Sequence, residues 1–281
     1  MGIDLDIASP EGWQAALAAL RWQLEMGVDE AIGDAPVNAY DLPDKVVKAT
    51  VPAPSARVER VADVPYVPQA SAAERAAVAA DAAVAEAAAR AAGAGSLEAL
   101  REALAGYEHC ELKKGARNLV FADGRAGARV LILGEAPGRD EDLEGRPFVG
   151  AAGQLLDRMF GAIGLSRESP DLERALYITN VMPWRPPGNR EPVPEEIAMM
   201  RPFVARHVDL AAPEIIVVMG NTPCSALLGA KGILRLRGTW AEALGRPVMP
   251  MVHPAYLLRN PVAKREAWAD LLEIQAKLRG R

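Results

Sequence analysis

An α/β fold is predicted: a three-layer sandwich whose central, mostly parallel four-stranded sheet is flanked by helices, with an N-terminal helical and linker extension. Two features carry that prediction. Four short apolar runs, residues 129–133, 175–179, 215–219 and 247–252, alternate with amphipathic segments of helical length. Such alternation is the pattern of strands joined by crossover helices. Each run stops at a polar or glycine-containing corner: Gly134-Glu135, Asn180, Gly220-Asn221 and His253-Pro254. Ligands of open α/β sheets bind outside the carboxyl ends of the strands. The four corners are therefore expected to converge on one functional rim.

Taken in order, residues 1–95 are expected to form an acidic extension and residues 96–281 the main folded domain. Ser9-Pro10-Glu11 is a helix start, with a capping side chain, a first-turn proline and an early acid. Trp13, Leu17, Leu20 and Leu24 then recur at helical spacing until Gly27. That stripe must bury against a partner, another chain or the main domain. Pro43, Pro52, Pro54, Pro65 and Pro68 mark residues 34–70 as a linker. Ser71 and Glu74 form a capping-box pattern ahead of an alanine-rich stretch reaching about residue 94. With almost no large apolar residues, this stretch is expected to be a solvated helix or spacer outside the core. From Ser96 a helix over 97–107 leads into the strands, and further helices are expected at 154–163, 194–210, 223–228 and 263–278.

Charge is unevenly spread. Residues 1–100 hold 7 Lys and Arg against 15 Asp and Glu, leaving 25 and 22 for residues 101–281. An acidic arm beside a mildly basic domain is compatible with nucleic-acid binding. No run approaches the roughly 20 apolar residues that a membrane span needs, so no membrane association is expected. The acidic start argues against a secretory signal, and a cytoplasmic protein is expected. Cys110 and Cys224 make neither a disulfide framework nor a metal-binding pattern. Cys224, at the head of an apolar helix, is expected to be a buried thiol.

The chemistry is expected in residues 134–160, where the first apolar run breaks into Gly134-Glu135-Ala136-Pro137-Gly138 and an acidic cluster containing Asp140 and Glu141. Phe148 offers a flat face on which a planar ring can stack. The Asn180 amide presents a donor and an acceptor side by side, which suits an imide or amide edge. His253 can donate to an oxygen that gains negative charge as a bond breaks. A carboxylate can orient or deprotonate a water. Together these groups suit a hydrolysis that expels a pyrimidine-like leaving group.

Five segments carry a resemblance to a known family. They are Gly134-Glu135-Ala136-Pro137-Gly138, Gly145-Arg146-Pro147-Phe148-Val149-Gly150, Tyr177-Ile178-Thr179-Asn180, Arg185-Pro186-Pro187-Gly188-Asn189-Arg190 and His253-Pro254-Ala255-Tyr256-Leu257-Leu258-Arg259. In this order they resemble the uracil-DNA glycosylase superfamily, most closely its family 4, over about residues 107–279. The resemblance implies a DNA-repair glycosylase that extrudes uracil from DNA, hydrolyses its glycosidic bond and leaves an abasic site without cutting the strand.

Under that resemblance Phe148 stacks on the extruded base and Asn180 reads its edge. Gly134, Glu135, Ala136 and Pro137 line the pocket. His253 stabilises the leaving uracil, and Glu141 matches the acid that activates water. Asp140 is adjacent, and the sequence leaves open which of the two positions that water. Leu257 matches the wedge that enters the duplex, Arg259 a phosphate contact, and Arg185 and Arg190 further phosphate contacts. Uracil-containing DNA is the expected partner of a monomeric enzyme, with a protein partner possible through residues 1–95.

The chain departs from family 4 at one place. Members of that family carry a four-cysteine iron–sulfur cluster, and the matching positions here hold Tyr107, Cys110, Trp184 and Met200. Three of four thiolates are replaced by side chains that cannot hold such a cluster. No cofactor is expected, the 4Fe–4S cluster included, and a hydrophobic plug is expected in its place. Two rivals remain: a non-catalytic DNA-binding or scaffold protein of the same fold, and a nucleotide-binding protein. Against the second, the Gly134–Gly138 segment lacks both the P-loop and the GxGxxG pattern.

Overall fold

The computed structural model describes residues 72–280, together with Trp13, Gln14 and residues 16–18. The helix start at Ser9, the remainder of the Trp13–Leu24 stripe, the linker over 34–70 and the cap at Ser71 lie outside the described residues. Trp13 and Leu17 are in helical backbone and exposed. The chain divides into two compact units, Met1–Tyr66 and Val67–Arg281.

At the centre of the second unit is a sheet with four parallel strands. They are β2 (Val130–Gly134), β3 (Leu176–Asn180), β4 (Ile215–Met219) and β6 (Arg246–Met251). These are the four strands expected from the apolar runs, within a residue at most ends. Two short antiparallel strands, β1 (Asp123–Gly124) and β5 (Ala241–Ala243), add the edges. At two and three residues they carry no readable alternation. The order across the sheet is β1-β3-β2-β4-β6-β5.

Every residue of β2, β3 and β4 is buried, which explains their continuous apolar sequence: both faces of the sheet are covered. Leu131, Leu133, Tyr177, Ile216 and Val218 belong to one hydrophobic cluster. Their alternate neighbours Val130, Ile132, Leu176, Ile178, Ile215 and Val217 belong to the other. The first layer contains α1 (Ala72–Gly93), α2 (Leu97–Ala105), α6 (Pro194–Ala211) and α7 (Asn221–Leu228). The second contains α5 (Ala151–Gly161) and α10 (Lys264–Leu278). Short helices α3 (Leu112–Gly115), α4 (Arg139–Glu144), α8 (Ile233–Leu236) and α9 (Pro254–Arg259) lie in the connections.

One expectation is overturned. From Ala83 onward the alanine-rich helix α1 is packed into the core and is not a solvated spacer, whereas residues 77–79, 81 and 82 are exposed. Ala83, Ala87 and Ala91 recur every four residues and are buried, and α1 packs along α6. The Tyr107 hydroxyl donates to the carbonyl of Ala83 at 2.9 Å, and Arg206 Nε donates to that of Ala94 at 2.9 Å. Small side chains let the two helix backbones approach closely, so burial here needs no large apolar residue. Cys224 is buried, as expected of it.

Candidate active site

The carboxyl ends of β2, β3, β4 and β6 meet at one cleft of about 540 Å³. Its lining brings together Glu135, Ala136, Pro137, Glu141, Phe148, Asn180 and His253 from three separate strand ends. Gly134 lies directly beneath. A Cβ at that position would collide with Asn180 Oδ1 and with the Phe148 ring at 2.6 Å, so only glycine admits both side chains.

Asn180 ends β3 opposite Gly134 in register and is only 6 % exposed. Its Oδ1 is buried without a hydrogen-bond partner. Buried acceptors are nearly always paired, and an orphan costs about 1–3 kcal/mol. That oxygen lies packed against Gly134 beside the Phe148 ring, the atom of the amide that a ligand donor would satisfy.

Phe148 adopts a left-handed backbone (φ 54°), which is uncommon outside glycine. Two contacts hold it there. Arg167 donates to the carbonyls of Pro147 and Phe148, each at 2.9 Å, and also pairs with Asp123 and Asp157. Gly153 in α5 leaves the space that the Phe148 carbonyl fills. Strain of this kind, of order 1–3 kcal/mol, persists where surrounding structure over-determines it. The Phe148 and His253 rings lie offset and nearly parallel, with centroids 5.4 Å apart at 26°.

His253 caps α9, and its Nδ1 accepts from the Ala255 N–H at 3.1 Å. Burial pushes its pKa down to about 4, the Arg259 charge adding to that and Glu141 opposing it. The ring is thus neutral near pH 7 and carries its single hydrogen on Nε2.

Glu141 and Asp140 differ in their partners. Glu141 Oε2 accepts from the Gly138 N–H at 3.1 Å, and Oε1 from those of Val149 and Gly150 at 3.0 Å each. Its carboxylate ties the α4 turn to the head of α5. Of roughly four acceptor sites on a carboxylate, three are engaged and one is left for a further donor. Asp140 is exposed and does not line the cleft. Its carboxylate nevertheless stays close to that of Glu141: Asp140 Oδ2 and Glu141 Oε1 lie 3.1 and 3.4 Å from the same side-chain position at Gly150.

The wedge expectation is corrected too. Leu257 is 1 % exposed and packed in the apolar core beneath α9, so it has no free surface to offer DNA. Its neighbour Leu258 is 43 % exposed. Arg259 lines the cleft. Arg190 also lines it, but its guanidinium is held by both oxygens of the buried Glu196, at 2.9 and 2.6 Å. Arg185 donates to Asn189 Oδ1 at 2.8 Å. The Arg190 charge is therefore already paired, whereas the Arg185 bond to a neutral amide leaves its charge without an ion-pair partner among the described residues.

Several residues on this site were not singled out from the sequence. Thr222 donates to Glu135 Oε2 at 2.6 Å and fixes that carboxylate from α7. Tyr256 contributes to the lining. Arg167 gives no signal, because buried arginines do not announce themselves by spacing. Gly153 does: a glycine within an otherwise helical pattern often has a packing reason.

Tyr107, Cys110, Trp184 and Met200 are all buried in one hydrophobic cluster. Burial raises the Tyr107 pKa to about 12 and the Cys110 thiol above its ordinary value. Among the described residues no group of three or more His, Cys, Asp or Glu could hold a metal ion. A four-thiolate cluster does not fit this donor set.

An α/β sheet that gathers a stacking ring, an amide and a neutral histidine at its carboxyl rim suits an enzyme acting on a planar heterocycle. Comparison with known proteins agrees: residues 121–272 match the family model described as the uracil DNA glycosylase superfamily, and the chain belongs to that superfamily. It is 36 % identical over 190 residues to the type-4 uracil-DNA glycosylase of Archaeoglobus fulgidus, covering 64 % of this chain and 92 % of that one. With the type-4 uracil-DNA glycosylase of Thermotoga maritima the identity is 38 % over 167 residues, 58 % of this chain and 84 % of its relative. The Saccharolobus solfataricus type-4 uracil-DNA glycosylase is 34 % identical over 194 residues, 65 % and 87 % of the two chains. Among the described residues no helix is long and apolar enough to cross a membrane.

Proposed function

We propose that this protein is a monofunctional uracil-DNA glycosylase, hydrolysing the N-glycosidic bond of deoxyuridine in DNA and leaving an abasic site with the strand intact. The observation that carries the reading is the unpaired Oδ1 of Asn180 beside Phe148. A uracil stacked on Phe148 presents a ring N–H to that oxygen and a carbonyl to the neighbouring amide nitrogen. Cytosine offers no ring N–H at that edge, so the amide reads the base.

The C1′–N1 bond breaks with its electron pair moving onto the uracil, whose O2 gains negative charge. The Nε2–H of neutral His253 donates to that oxygen without surrendering its proton. The sugar passes through an oxocarbenium-like state, and a water adds its oxygen to C1′. Glu141 orients this water through the acceptor site its backbone partners leave open, and the water's proton returns through solvent to the departing base. Leu258, in place of Leu257, is the apolar tip that fills the gap left by the base, and Arg259 holds a neighbouring phosphate. The partner is uracil-containing DNA, and a protein partner through the N-terminal extension is part of the same proposal.

The enzyme works without an iron–sulfur cluster, a buried plug of Tyr107, Trp184 and Met200 taking its place. The purified protein is then colourless near roughly 400 nm. Stoichiometric iron would overturn this.

Base release from an oligonucleotide with one uracil, developed with alkali, tests the main reading. Wild type is expected to release uracil, and Asn180→Ala and His253→Ala each to lose about 10²-fold or more. Binding without any release, on single- or double-stranded DNA, would instead make the chain a DNA-binding scaffold.

A further inference from the structure

The turn around α8 is exposed, apolar at its tip and basic on both sides. Leu234 is 60 % exposed, and Lys231 and Arg235 flank it in the open. Neither cation has an ion-pair partner among the described residues. The nearby carboxylates are already taken: Asp270 is buried against Arg237, which Glu266 also approaches at 3.6 Å.

This turn is braced at both ends. Asn221 Oδ1 accepts from the N–H groups of Gly232 and Ile233 at 3.0 and 2.9 Å. At the far end Arg237 Nε donates to Asp270 Oδ2 at 3.0 Å, and the Arg237 N–H donates to the Ile233 carbonyl at 2.8 Å. Asn221 directly follows Gly220, which lines the cleft and whose side-chain position lies 3.8 Å from the His253 Cβ. The brace therefore fixes α8 to the same rim as the reacting groups. A leucine held outward on a rigid turn loses the option of folding back to hide from water, which leaves it available to a partner.

We propose that the Lys231–Arg235 turn is a second DNA-contacting element of the site. Lys231 and Arg235 take backbone phosphates while Leu234 packs against the sugar and base edges of the duplex beside the extruded nucleotide. An apolar tip between cations matches what a kinked duplex offers: unstacked base edges between two charged strands. The inference rests on the glycosylase reading, because it uses the same DNA.

Two measurements test it on the full chain. The first is the salt dependence of binding to a duplex without uracil, which needs no turnover. Lys231→Ala combined with Arg235→Ala is expected to reduce the slope of log K against log salt by about 2, near 0.9 for each phosphate released, and Arg235→Lys to retain the wild-type slope. The second is the ratio of kcat/KM on duplex to that on single-stranded uracil DNA, expected to fall about tenfold in Leu234→Ala. An unchanged slope in the double variant overturns the proposal, as does an unchanged ratio in Leu234→Ala. Wild type releasing no uracil from either strand would sink the glycosylase reading instead, and the slope would still decide whether this turn meets DNA.

Discussion

The carbonyl of Phe148 occupies the space that a side chain at Gly153 would need. The stacking ring is thereby set by a glycine that is not itself part of the cleft lining. Gly153→Ala is expected to push the 147–149 turn off α5. Uracil release should fall by about 10²-fold, since small misplacements of a positioned group carry losses of that size. The overpacking should lower stability by about 1–3 kcal/mol. Steady-state kinetics beside a urea titration would check both.

Arg167 braces the same turn from the opposite side through two carbonyls and two carboxylates. Arg167→Ala is expected to destabilise by about 2–3 kcal/mol, because it leaves acceptors unpaired. Arg167→Lys should recover little of this, since one ammonium cannot span four acceptors arranged for a planar fork. Thermal melting of both variants decides the point.

Leu257 and Leu258 make a paired test of the wedge. Leu257→Ala is expected to cost about 2–5 kcal/mol as a cavity in the core. Leu258→Ala should leave stability within about 0.5 kcal/mol and lower release from duplex DNA. The reverse pattern would restore the sequence-based assignment to Leu257.

Two histidines, His207 in the core and the half-buried His253, set the acid limit. His207 stacks on Phe121 and shares a 2.8 Å hydrogen bond with the Tyr177 hydroxyl. Burial depresses its pKa to about 4, as it does that of His253. The unfolded chain, with ordinary histidine values near 6.5, binds more protons than the folded one between pH 6.5 and 4. Stability is therefore full above about pH 6.5 and is lost as pH falls towards 4. Each histidine accounts for about 2 kcal/mol of loss by pH 5. Denaturant titrations at pH 7.5 and 5 should show the fall, and His207→Phe should reduce it.

The packed alanine face of α1 gives a last test. Ala87→Leu is expected to force α1 from α6 and lower stability by about 1–3 kcal/mol. A null result in denaturant would return this helix to the role of solvated spacer.

The parallel strands and the corners at Gly134, Asn180, Gly220 and His253 were legible in the sequence, because residues buried on both faces leave continuous apolar runs that stop where the strands reach the cleft. Side-chain chemistry at those corners was legible for the same reason: Phe148, Asn180, Glu141 and His253 each sit at or just past a strand end. What the chain could not disclose was orientation and partnership across long separations. Helical phase decided that Glu141 lines the cleft while Asp140 does not, and that Leu257 points inward while Leu258 points out. Close backbone approach, which leaves no apolar pattern, drew the alanine helix into the core. Arg190 was already committed to Glu196, and Arg167 to the turn that carries Phe148. Pattern along a chain records which residues need burial; only the packed structure decides which neighbour each one meets.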